Sequence, residues 1–429
     1  MTDWQTVRFG SLLAQPVRNG IYKKKEFHGR GAKMVNMGEL FAYSRLTDVP
    51  MKRVDLSDKE LNRFSLEKGD LIFARRSLTA EGAGKCTLVA EVLEPTAFES
   101  SIIRARPEPS LASSDFLYYY FASPAGHHSL DTIRRQVAVA GITGSDLSNL
   151  EFRVPGLKIQ QEIASVLSAL DNKIELNRRM NETLEAQARA LFRDWFVDFG
   201  PVKAKMAGDT PYLAPNLWSL FPNCLDDDGV PEGWNATPLD EIASFLNGLA
   251  LQKYPAADGD DSLPVIKITE LRTGPTSKSN RASTDVPGKY VIGDGDFIFS
   301  WSGSLLAKFW THGPGALNQH LFKVTSDEFP PWFYSHWVWH HLAEFQLIAA
   351  SKATTMGHIK RGHLKEAMCV VPAPDLLEKL SAIMEPLVER TIANELESRT
   401  LAQTRDLLLP KLMSGETRVG EAEREIEHA

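Results

Sequence analysis

Residues 160–199 read QQEIASVLSALDNKIELNRRMNETLEAQARALFRDWFVDF. Stepping alternately four and three residues from Ile163 meets Leu167, Leu170, Ile174, Asn177, Asn181, Leu184, Ala188, Leu191 and Trp195. A mean spacing near 3.5 predicts a long helix packed along its length against another helix, with only Asn177 and Asn181 interrupting the apolar seam. About 35 residues at about 1.5 Å rise give a rod of roughly 50 Å. Such a seam needs a partner, and adding 217 to each number finds one: Leu380, Met384, Leu387, Thr391, Asn394, Ser398, Leu401, Arg405, Leu408 and Leu412. Polar residues again fall mid-seam, and Asn177 maps onto Asn394. The residues expected to pair the helices are Leu167, Leu170, Ile174, Asn177 and Leu184 with Leu387, Asn394, Leu401 and Leu408. A buried Asn in such a seam sets register at a cost in stability, whereas a seam shifted through Met180 would turn these amides to water. Arg405 reads as a rim residue with a packed stem and a solvated charge.

Outside the rods the chain repeats itself. Residues 1–155 carry strand-like runs at KGDLIFARR (68–76), CTLVAEVL (86–93) and SSIIRAR (100–106), with a helix at DFLYYYFASP ended by Pro124. Pro155 and Gly156 mark a boundary before the first rod, residues 156–200. Periodicity fails over 201–233, where Asp226, Asp227 and Asp228 suggest a surface connection. Residues 234–372 replay the first domain. Trp234 stands where Trp4 stood, Ile266, Lys267 and Ile268 read as strand, and DGDFIFSWSG (294–303) parallels KGDLIFARRS. The second rod covers 373–415, and 416–429 form an acidic tail with five Glu against Arg418 and Arg424. The expected fold is mixed α/β: two globular domains alternating with two long helices that pair antiparallel, an internal pseudo-two-fold repeat.

The chain has 429 residues, 43% hydrophobic and 24% charged, the composition of a soluble globular protein. The opening MTDWQTVRFG lacks an apolar stretch behind a basic one, and no run of eighteen apolar residues occurs, so a cytoplasmic protein without a membrane span is expected. Cys86, Cys224 and Cys369 lack metal-ligand spacing, which predicts neither disulfides nor structural zinc. The net charge of −7 argues on average against nucleic acid, yet seven basic residues against Glu26 and Glu39 lie between Arg18 and Arg45.

Catalytic look-alikes fail on inspection. EGAGKCT (81–87) has Thr79 where a phosphate loop needs its first Gly, and Cys86 in place of the magnesium-binding hydroxyl. FPPWF (329–333) has Phe329 where an amino-methyltransferase tetrapeptide carries Asp or Asn. His336 and His340 have helical spacing but no Glu to complete a zinc motif, so core or interface histidines are the simpler reading. No catalytic or metal-ligating residue is expected.

The two rods and their flanks, QQEIASVLSALDNKIELNRRMNETLEAQARALFRDWFVDFGPV and LAQTRDLLLPKLMSGETRV, resemble the two conserved regions of the specificity subunit of Type I restriction–modification enzymes. The resemblance covers the whole architecture and is most specific in the helices. It implies a DNA-binding, non-catalytic subunit in which each recognition domain reads one half of a split double-stranded DNA target and the antiparallel helices set the gap. It also implies that two modification subunits dock to the assembly, followed by restriction subunits. S-adenosylmethionine, ATP and Mg would belong to those partners, with no cofactor in this chain. Pro386, which aligns with Ala169, departs from the pattern and should kink the second rod or delay its start.

Under that resemblance, Lys23, Lys24, Lys25, Arg75 and Arg76 in the first domain could contact phosphates or guanine edges, or form a solvated face. Lys267, Trp301, Ser302 and Lys308 occupy the corresponding context in the second, and Asn318 and Gln319 could read adenine through their amides or serve a turn. A coiled-coil interaction protein without DNA would need neither strand-rich copy. A stand-alone nuclease or methyltransferase would need a carboxylate–metal cluster or a cofactor loop.

Overall fold

The computed structural model describes residues 4–135, 140–257, 261–351 and 357–427. The chain divides into unit 1, residues 1–174 with 400–429, and unit 2, residues 175–399.

Unit 1 opens with β1 (Gln5–Arg8) and β2 (Leu13–Asn19), then β3 (His28–Val35), α1 (Met37–Ala42), β4 (Arg45–Leu46), β5 (Lys52–Val54) and α2 (Asp58–Phe64). β6 (Leu71–Ala74), β7 (Arg76–Ser77), β8 (Cys86–Val89), β9 (Thr96–Phe98) and β10 (Ile102–Pro107) follow. After them come α3 (Ser114–Ala122), α4 (Pro124–Ile133), β11 (Ala140–Gly141), α5 (Gly144–Ser148), β12 (Glu151–Val154) and the long helix α6 (Leu157–Phe196). The main sheet has the order β2-β10-β6-β8-β4, and a second runs β5-β3-β9. β6 is central and buried on both faces, which is why LIFA is an unbroken apolar run. Leu71 and Phe73 join a core with Phe9, Phe121 and Phe152, while Ile72 and Ala74 join another with Val35, Phe98 and Ile102. Pro124 both ends α3 and occupies the first turn of α4, where its missing N–H costs nothing.

Unit 2 repeats the plan. It contains α7 (Gly200–Ala207), α8 (Pro215–Trp218), β13 (Asn235–Pro238), α9 (Leu239–Ile242), β14 (Ser244–Asn247), β15 (Ser262–Ile266), α10 (Ile268–Thr273), β16 (Arg281–Ser283) and β17 (Val291–Ile292). β18 (Phe297–Ser300), β19 (Ala307–Phe309), β20 (Gly315–Leu317), β21 (Leu321–Thr325), α11 (Pro331–Ser351), α12 (Arg361–Glu366) and β22 (Met368–Val371) complete it. Its sheet β14-β21-β18-β19 matches β2-β10-β6-β8, and the pair β13-β22 matches β1-β12. The run expected as strand over 266–268 instead splits. Ile266 ends β15, and Lys267 is the N-cap of α10, with Glu270 accepting from its backbone N–H. Asn36 and Glu39 do the same before α1.

The second long helix, α13 (Pro374–Ser414), starts well before Pro386 and runs through it, so Pro386 does not delay its start. α14 (Val419–Glu427) follows; the tail is helical there and buries Ala422 against the unit 1 core. Gly415 sits at φ +75°, with Trp4 so close that a Cβ would stand 3.0 Å from its ring nitrogen. The stretch 201–233 is likewise more than a surface connection, since Val202, Leu217 and Phe221 are buried in the unit 2 core beside Trp234.

Within each unit, segments of α6 and α13 pack together and run antiparallel. In unit 2, Asn177 reaches Asn394 and Ser398 while Asn181 reaches Thr391 and Asn394, so one helix ascends as the other descends. In unit 1, Leu167 and Leu170 share a core with Leu408 and Leu412, Leu401 packs against it, and Asp171 pairs with Arg405 at 2.6 Å. Ile174 is half-buried, as are Leu184 and Leu387 in unit 2. Asn177, Asn181 and Asn394 are 0%, 8% and 1% exposed, which removes the solvent-facing alternative. Arg405 differs from a rim residue, because its guanidinium is held by Asp171 and Asp406.

Candidate nucleic-acid interface

In unit 1, three chain segments leave the main sheet at one end. The register pairs Ile103 with Asn19 and Ile102 with Ala74, so β2 ends, β6 ends and β10 begins at the same edge. β2 exits through Asn19-Gly20. The Gly20 N–H donates to Ile102 O at 2.9 Å, and a Cβ on Gly20 would lie 2.1 Å from Glu99 O, so only glycine fits this approach. Next come Tyr22, Lys24 and Lys25, all exposed. Lys23 is held back: its Nζ donates to both carboxylate oxygens of Glu60 at 2.8 Å, which takes the Glu60 carboxyl down to about 2. β6 exits through Arg75 and Arg76. Arg75 is half-buried, with a guanidinium N–H reaching Ser100 O, whereas Arg76 is exposed on β7, which pairs with β11.

Unit 2 builds the same edge with different side chains. Asn247 pairs with Phe322 and Ser300 with Leu321. β14 exits through Asn247-Gly248, whose glycine N–H donates to Leu321 O at 3.0 Å, and a Cβ there would meet Asn318 O at 2.3 Å. Trp301 donates its indole N–H to Asn247 Oδ1 at 2.9 Å, and its ring lies 5.9 Å from those of His320 and Phe322. Ser302 Oγ is 3.0 Å from His320 Nδ1. Asn318 is buried and donates to Gln319 Oε1 at 2.7 Å, so its amide is already spent on a neighbour while Gln319 is half-exposed. Ser302 is buried at 3% exposure, so the edge presents an indole, an imidazole and the amides of Asn247 and Gln319, groups that hydrogen-bond base edges or stack on them.

The structure gathers Trp301, Ser302, Asn318 and Gln319 there, and in unit 1 Lys24, Lys25, Arg75 and Arg76. Two residues go elsewhere. Lys267 donates from Nζ to Asn280 Oδ1 at 2.6 Å beside α10, and Lys308 lies on β19 lining a cavity of about 390 Å³ with Glu185, Arg189 and Trp339. Sequence reading missed Asn19, Asn247, His320, His358, Lys360 and Arg361. Lys360 and Arg361 are exposed at the start of α12, and the Arg361 guanidinium reaches Phe245 O at 3.2 Å. Two signals were available: the dipeptide Asn-Gly recurs after β2 and β14, and HIKRGH (358–363) is a local basic cluster.

Among the described residues no group of three or more His, Cys, Asp or Glu side chains is arranged to hold a metal ion. His336 is buried, its Nδ1 2.6 Å from Trp332 O and its ring 5.2 Å from Phe192, and burial lowers its pKa to about 4. No described helix is long and apolar enough to cross a membrane.

Comparison with known proteins agrees with this plan. Residues 1–186 match the family described as Type I restriction modification DNA specificity domain. The chain is similar to the Type I restriction enzyme HindI specificity subunit of Haemophilus influenzae, 22% identical over 97% of this chain and all of that one. It is also similar to the Type I restriction enzyme MjaIX specificity subunit of Methanocaldococcus jannaschii, 25% identical over 93% of this chain and 90% of that one. The crystal structure of a Type-I restriction-modification system S subunit from M. genitalium shares the fold, with a TM-score of 0.56 at 15% identity over 96% of both chains.

Proposed function

We propose, for a chain that belongs to the specificity subunits of Type I restriction–modification systems, that each unit reads one half of a split double-stranded DNA target through the sheet edge described above. The observation that carries this is the repeat itself. Two copies of one scaffold turn at Asn19-Gly20 and Asn247-Gly248 and then present different side chains, Arg75 and Arg76 in one, Trp301 and Gln319 in the other. One backbone with two sets of contacting groups suits one reader per half-site. The paired helices hold the gap, since a buried amide network fixes their register, and their outer faces dock modification subunits. The chain itself carries no chemistry. S-adenosylmethionine, ATP and Mg act on the modification and restriction subunits, and the assembly works in the cytoplasm.

The test is a gel shift on random and target duplexes, with and without a modification subunit, after methylation profiling of host DNA has revealed the target. Specific binding by the complex is expected. Cleavage or methylation by the purified chain alone would sink the proposal, and association with modification subunits without any preference among duplexes would favour a purely structural coiled-coil role.

A further inference from the structure

The two edges differ most in one loop. In unit 2 the connection after β18 closes at once, with the Ser300 N–H donating to Leu306 O at 2.8 Å. In unit 1 the equivalent bond runs from the Ala74 N–H to Lys85 O at 2.9 Å, so this copy carries five more residues at the same place. At the projecting end stands Leu78, 94% exposed, the most exposed large apolar side chain among the described residues. Loop tips ordinarily carry polar or turn-forming residues.

The loop that bears it is well tied down. Arg76 and Ser77 pair with Gly141 and Ala140, the Thr79 N–H donates to Ser77 Oγ at 3.2 Å, the Gly82 N–H donates to Thr79 Oγ1 at 3.3 Å, and Arg134 Nε donates to Ala83 O at 3.0 Å. Gly82 is packed so close that a Cβ would fall 2.2 Å from Ser77 Oγ. The leucine is therefore presented on an anchored loop, two residues beyond the exposed Arg76 and at the edge that also carries Lys24 and Lys25.

An apolar side chain beside cationic ones is the chemistry of a wedge: guanidiniums hold phosphates while the alkyl group enters the stack between two base pairs. A protein partner is less suited to this neighbourhood, because charges are depleted at the cores of protein interfaces. We propose that Leu78 is such a wedge, unstacking one base step in the half-site bound by unit 1, with Arg75 and Arg76 on the backbone at its foot. The inference rests on the DNA-reading function above and adds a deformation that only one half-site undergoes. Unit 2 has no counterpart, since Leu305 in its shorter loop is buried.

The experiment uses the full chain assembled with its modification subunits and target duplexes carrying 2-aminopurine or pyrrolocytosine at successive positions of each half-site. One step in the first half-site should brighten with the wild-type chain and with Leu78→Met, and stay dark with Leu78→Ala, whose affinity should fall about tenfold. A base extruded toward a modification subunit would brighten equally in all three, which separates it from the wedge. A first half-site that stays dark throughout, or brightens equally with Leu78→Ala, overturns the wedge while specific binding leaves the DNA-reading function standing. Loss of preference for the target by the wild-type complex would overturn that function itself. Failure of Leu78→Ala to assemble, with stacking unchanged in the wild type, would mark the loop as a protein contact and overturn the wedge as well.

Discussion

Asn394 donates its side-chain N–H to Asn181 Oδ1 at 2.8 Å in the buried seam of the helix pair. Asn177 completes the arrangement from the other side, donating to Asn394 O and Ser398 Oγ at 3.3 Å and to Glu397 Oε2 at 2.8 Å. The pairs Asn177–Ser398 and Asn181–Asn394 exchange under the internal repeat, so each copy supplies both halves of one motif. Asn181→Leu should leave the Asn394 amide buried without its acceptor and destabilise unit 2 by about 1–3 kcal/mol in denaturant titration. The triple change of Asn177, Asn181 and Asn394 to Leu should restore stability yet allow alternative registers, read by cysteine cross-linking across the helices. A triple variant as unstable as the single one would show that the network serves stability rather than register.

The second tie is Asp171 with Arg405, supported by the Tyr119 hydroxyl, which donates to Asp171 Oδ2 at 2.6 Å. The Asp171 side chain is only 12% exposed and that of Arg405 28%. Removing the carboxylate in Asp171→Ala strands the phenol and half the guanidinium's partners, and should lower stability by roughly 1–3 kcal/mol after allowance for solvent at Arg405. Thermal unfolding checks it, and an unchanged midpoint would return Arg405 to a mere rim residue.

The buried His336 makes stability fall with acid. Its folded pKa, about 4, lies below the ordinary 6.5, so between those values the unfolded chain binds a proton that the folded chain does not. The contribution is complete above pH 6.5 and lost as pH falls toward 4, amounting to roughly 3 kcal/mol at most. His340 and His341 shift in the same direction through burial. Unfolding free energies of wild type and His336→Gln at pH 7 and pH 4.5 should differ in slope, with the variant flatter; parallel slopes would refute the assignment.

If the helices set the gap, lengthening one alone must break the Asn177–Asn394 network, so the test inserts seven residues in α6 and seven at the facing position of α13. Seven residues add about 10.5 Å, close to three base pairs. Methylation profiling should then show both half-sites unchanged and about three more unspecified pairs between them. An unchanged gap contradicts the ruler.

Because β1 pairs with β12, a recognition domain exchanged intact must include both strands. Replacing residues 1–155 with the matching segment of another specificity subunit should change one half of the methylated target and leave the other. If both halves change, the modular reading is wrong.

Much of this was legible because the signals are periodic. A 3.5-residue seam and its echo at Asn394 reveal a paired helix wherever they occur, and β6 and β18, buried on both faces, show as unbroken apolar runs. The edge was harder to see. Asn19-Gly20 and Asn247-Gly248 end strands of mixed polarity, LAQPVRN and SFLN, so no alternation announces them. Lys23 and Lys267 looked available as cations until the structure set Glu60 and Asn280 against them, and Lys308, expected in the same strand-loop context as Trp301, lies instead on β19 at a cavity.

Helices, central strands and the repeat depend on spacing along the chain, which sequence by itself determines: which faces are apolar, and that Asn177 and Asn394 are counterparts. Only the tertiary structure decided that the buried Asn177 amide donates to the Asn394 backbone carbonyl while the Asn394 amide donates to Asn181, that Arg405 is tied to Asp171, and that Leu78 stands in water on an anchored loop. Those outcomes turn on which group arrives first at a given donor, acceptor or surface from a distant part of the chain, and a one-dimensional pattern does not carry that information.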